Sequence, residues 1–158
     1  PGAGAIGGSL EFFTTADGGE VLTKALTIDN AQALRAENAI LSKHATAGVG
    51  YATGAGGVVT QATSKATAFT LSKITGAITF AGDALGADTS VSSTWTNTAI
   101  AATDVVIANH ISGGTLGAYT LTFTPGAGTA TAVLHNVTAG SLTEAPVFAF
   151  AVIKGVTA

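Results

Sequence analysis

Threonine alternates with bulky apolar side chains through most of the last hundred residues, and that alternation restricts the chain to sheet. Tyr119, Leu121 and Phe123 interleave with Thr120, Thr122 and Thr124, the two-residue period of a strand with one buried and one wet face. Such segments carry many hydroxyls and few groups able to move a proton or hold a metal. They suit packing rather than chemistry, and a structural protein is expected.

Eight strand candidates follow from the same pattern: Val58–Ala62, Thr67–Leu71, Ala77–Phe80, Ser90–Asn97, Asp104–His110, Ala118–Thr124, Thr129–Val137 and Val147–Lys154. Gly, Asn, Asp and Ser separate them, which predicts a mainly β chain with a sandwich or jelly-roll-like domain. The last candidate is apolar on both faces. Only one face of a sandwich strand meets its own core, so the other is expected to meet another subunit. Phe148, Phe150 and Val152 are assigned to that subunit interface, with His135, which alternates with Val133 and Val137.

The first 47 residues read differently. They hold eight of the fifteen charged residues, and composition shifts at a glycine-rich stretch, Gly48 to Gly57, where backbone bends without a Cβ penalty. The expected division is an N-terminal arm, 1–47, and a β domain, 48–158. Pro1 to Gly8 spells G-x-G-x-x-G but has no strand before it, and reads as a flexible lead. An Asp17-Gly18-Gly19 turn signal suggests a short hairpin or two extended segments between Leu10 and Leu26. Asp29 or Asn30 can cap a helix from Ala31 to about Lys43, with Leu34 and Leu41 a heptad apart.

Only 9% of the residues are charged, against a usual ~25%, while the hydrophobic fraction is an ordinary 47%. Disorder is disfavoured by that balance. The net charge of −3 and six scattered Lys and Arg offer no field for a phosphate backbone, so no nucleic-acid partner is expected. No run approaches the ~20 apolar residues that span a bilayer, and the start lacks a signal-peptide layout. No membrane partner is expected, and cysteine is absent.

Catalytic and metal chemistry find little support. His44, His110 and His135 lie in separate segments without a carboxylate at ligand spacing. Asp83 and Asp88 could join backbone carbonyls around calcium, but the acidic ladder of a calcium loop is missing. No G-x-S-x-G or S-x-x-K occurs. Asn136-Val137-Thr138 fits the N-glycosylation pattern, and Trp95, Tyr51 and Tyr119 could form a sugar platform, though isolated strand aromatics are more often core. No cofactor, no metal and no enzymatic activity are expected.

The segments Gly57-Val58-Val59-Thr60-Gln61-Ala62-Thr63-Ser64-Lys65, Thr70 to Thr79, Ile100 to Val106, His110-Ile111-Ser112-Gly113-Gly114-Thr115-Leu116-Gly117-Ala118-Tyr119 and Asn136 to Ala145 together resemble a C-terminal module that recurs in tailed-bacteriophage virion proteins. The resemblance covers roughly residues 48 to 156 and includes no catalytic motif. It implies a head decoration (cement) protein, a head fibre or another virion appendage, commonly trimeric. The expectation is therefore a homotrimer on the capsid surface that stabilises the head. A fibre tip that binds a host glycan or receptor is the alternative. Leu10, Phe12, Phe13, Val21, Leu22 and Leu26 are large apolar residues in a stretch too short for its own core, and are assigned to binding the major capsid protein.

Overall fold

The computed structural model describes residues 8–15, 19, 21–29, 31–36, 40, 46 and 48–156. Every regular element among them is a strand. In chain order these are β1 (Leu10–Thr14), β2 (Thr23–Ile28), β3 (Leu34–Ala36), β4 (Gly56–Thr60), β5 (Phe69–Thr70), β6 (Thr75–Thr79), β7 (Ala84–Leu85), β8 (Thr89–Thr96), β9 (Val105–Ser112), β10 (Tyr119–Gly126), β11 (Thr129–Asn136), β12 (Leu142–Thr143) and β13 (Val147–Ile153). The chain divides into two compact units, 1–49 and 50–158.

The first unit is a three-stranded antiparallel sheet in the order β1-β2-β3. Phe12 faces Leu26 across the first ladder, a bulge follows between Phe12 and Phe13, and Lys24 donates to Glu11 at 2.6 Å. The two extended segments expected around the Asp17-Gly18-Gly19 signal pair as a hairpin; Asp17 and Gly18 themselves lie outside the described residues, as do 1–7. The helix expected from Ala31 is corrected. Asp29 Oδ1 does accept from the amides of Ala31 and Ala33, at 3.0 and 2.9 Å, as a helix cap would. The backbone, however, closes a tight turn in which Asp29 N–H donates to Ala33 at 3.1 Å, and Leu34–Ala36 returns as β3 beside β2. Residues 37–39 and 41–45 of that expected helix lie outside the described residues.

The second unit contains two four-stranded sheets, β10-β11-β8-β5 and β4-β6-β13-β9, and a small pair, β12-β7. All eight strand candidates coincide with strands, with ends that differ by a residue or two. The sheets are mixed, because β4 runs parallel to β6 and β5 parallel to β8. Parallel neighbours need a long crossover, and residues 61–74 supply it by placing β5 in the other sheet on the way. Gly76 allows the close β4–β6 approach. Its φ is +150°, and a Cβ there would stand 1.9 Å from the Gly57 carbonyl oxygen.

One aromatic cluster joins the inward faces of both sheets. The fully buried Trp95 of β8 meets Phe150 of β13 edge-on at 4.7 Å, Phe123 of β10 at 5.3 Å and Phe69 of β5 at 6.1 Å. Phe80 meets Phe148 edge-on at 6.0 Å. Offset and edge-to-face contacts at these spacings suit the ring quadrupoles. The Trp95 Nε1–H donates to the Leu71 carbonyl at 3.1 Å, so burial leaves no indole donor unpaired.

Candidate functional site

The core assigns roles that alternation alone left open. Phe148, Phe150 and Val152 are 2%, 3% and 0% exposed, and fill the chain's own interior rather than a surface offered to another subunit. This corrects their place on β13: residue size decides the facing, because the two phenylalanines complete the Trp95 cluster while Val147, Ala149, Ala151 and Ile153 form the outward set. Trp95 and Tyr119 are likewise buried, and the Tyr51 hydroxyl donates to the Val152 carbonyl. These three make no sugar platform.

His135 lies on the outer face of the other sheet. Its Nδ1 is 2.9 Å from Ser90 Oγ, and its Nε2 is 3.2 Å from Asp88 Oδ1. Pattern reading missed this line, since only strand pairing brings His135 opposite Ser90. It has the composition of a hydrolytic triad without its environment: the Asp88 side chain is 87% exposed, so water screens the carboxylate, and the serine sits on the ring nitrogen next to Cβ. His44 lies outside the described residues.

A second cluster gathers around His110. The His110 ring stacks on Phe148 at 4.9 Å, meets Tyr119 edge-on at 5.9 Å, and its Nε2 lies 2.7 Å from the Gly113 carbonyl. Glu144 receives the amide of Thr115 at 2.9 Å and its hydroxyl at 2.8 Å, which holds the carboxyl below its ordinary range. Burial, reinforced by Glu144, pushes the Tyr119 phenol up to about 12. The phenol oxygen is buried without a hydrogen-bond partner of normal geometry. Gly113 and Gly114 carry this loop with φ of +66°, and a Cβ on Gly113 would stand 2.3 Å from the Ala145 carbonyl oxygen. The cluster fixes a loop.

At Asp83, one of the two carboxylates expected to be able to join backbone carbonyls around calcium, the chain places its own cation. Lys65, 1% exposed, donates from Nζ to the carbonyls of Ala81 at 2.7 Å and Glu144 at 2.9 Å, and also to that of Asp83. Its backbone amide donates to Asp83 Oδ1 at 2.8 Å. Asp88 belongs instead to the His135 line. Asn136 is buried in a similar role: its amide donates to the carbonyls of Leu85, Gly86 and Gly140 at 3.1, 2.9 and 2.8 Å. That leaves it no free edge for a glycan. Among the described residues no three His, Asp or Glu converge as metal ligands.

Asp104, with a side chain fully shielded from solvent, accepts from Lys154 Nζ at 2.5 Å and from the amides of Ala101 at 2.9 Å and Gly155 at 3.1 Å. These bonds, Lys154 first, hold its pKa below the ordinary value. A carboxyl depressed by folding contributes stability that is complete above its unfolded pKa, about 4, and is lost as pH falls through the folded value. Melting temperature should therefore hold steady above about pH 5 and drop below about pH 4. Asp104→Asn should flatten that drop in a pH series of thermal melts.

The two outer sheet faces differ in chemistry. On β10-β11-β8 the rows run Thr124–Thr131–Thr94, Thr122–Val133–Ser92 and Thr120–His135–Ser90, a surface of hydroxyls. On β4-β6-β13-β9 they run Val58–Ala77–Ala149–Asn109 and Gly56–Thr75–Ala151–Ile107. That second face is largely apolar, and none of its four strands contains Asp, Glu, Lys or Arg. In the first unit, Leu10, Phe12, Phe13, Val21 and Leu22 are exposed at 56%, 48%, 46%, 78% and 64%, and Leu26 is half-buried. Comparison with protein-family models, curated proteins and solved structures found no match.

Proposed function

We propose that this chain is a structural virion protein, a capsid decoration or cement protein that stabilises a phage head as a homotrimer on the capsid surface. In this reading the second unit is a sandwich of the jelly-roll-like kind, modified by its two parallel pairs. The first unit engages the major capsid protein. The observation that carries the reading is surface chemistry: the buried polar side chains Lys65, Asp104 and Asn136 are tied into structural stitches, while each unit has an exposed apolar surface, Val58 and Ile107 on the β4-β6-β13-β9 face and the Leu10 to Leu22 side chains. Exposed apolar surface of that kind marks association rather than catalysis.

The capsid contact is testable at Phe12 and Phe13. Burying a large apolar side chain contributes ~1.5–3 kcal/mol, and 1.4 kcal/mol is about tenfold in affinity. Phe12→Ser should weaken binding to undecorated heads about tenfold or more, and Phe12→Ser with Phe13→Ser about a hundredfold, in a sedimentation assay with purified heads. Unchanged binding by the double variant would remove the first unit from the contact. Recovery of the protein in a few copies with tails, rather than in high copy with heads, would favour the fibre-tip reading.

A further inference from the structure

We draw no further inference here: the strongest candidate, the apolar outer face of the β4-β6-β13-β9 sheet, whose strands hold no Asp, Glu, Lys or Arg, carries none because nothing in the structure shows what covers it.

Discussion

Lys65→Met should destabilise the protein by about 3–5 kcal/mol, the cost of breaking a buried ionic cluster from one side. The ammonium is the only donor described for three converging carbonyls, those of Ala81, Asp83 and Glu144. Methionine matches the length of the lysine and fills the space, yet each carbonyl left buried and unpaired costs about 1–3 kcal/mol. The positions it ties together are distant in sequence, so the loss should appear in global unfolding by denaturant rather than in local fraying. A second signature separates charge from packing. Burial outweighs the attraction of Asp83 and Glu144, and holds the Lys65 pKa below its ordinary 10.5. The folded state therefore sheds this proton first, and the lysine's contribution to stability rises as pH climbs from the folded value to the unfolded one. Tyr119, raised from 10.0 to about 12, acts oppositely: the unfolded phenol ionises first, so stability falls as pH rises through 10. The difference between wild type and Lys65→Met cancels the tyrosine and isolates the lysine. A variant within 1 kcal/mol of wild type would show that water or rearranged backbone satisfies those carbonyls.

Period was legible in the sequence, and facing was not. Thr120 to Thr124 and Thr129 to Asn136 show their alternation in one dimension, so those strands and their hydroxyl faces could be read directly. Val147 to Ile153 is apolar throughout, and alternation cannot say which set turns inward. The answer lies in volume: Trp95, from another sheet, needs a ring beside it, and Phe150 supplies one where Ala149 or Ala151 could not. The N-terminal helix expectation failed for a related reason. An aspartate that accepts from the amides two and four residues ahead serves a tight turn as well as a helix, and Asp29 does so before β3. Lys65 was invisible because its ligands are backbone carbonyls, which carry no sequence signature. The Ser90–His135–Asp88 line depends on strand register, and the short β7 and β12, two residues each, are too brief to show any period.

Phe150→Asp should abolish the fold, whereas Ala151→Asp, one residue along the same strand, should leave it intact. Phe150 is 3% exposed and meets Trp95 at 4.7 Å. Removing a buried phenylalanine costs about 3–5 kcal/mol through lost transfer and the cavity left behind. An unpaired carboxylate in that cavity adds several more or must take up a proton, and a domain's whole margin is about 5–15 kcal/mol. Trp95 is the sole tryptophan and fully buried, so its fluorescence reports the outcome directly. The Phe150→Asp emission should match that of the denatured wild type at every protein concentration. Ala151 points outward between Thr75 and Ile107, where aspartate keeps water in the isolated chain. Its tryptophan emission should stay native, because the added carboxylate stays hydrated and leaves the Trp95 cluster untouched. Native emission from Phe150→Asp would place Trp95 outside the folding core. Denatured emission from Ala151→Asp even when dilute would show that the outer face of β13 is needed to fold the chain.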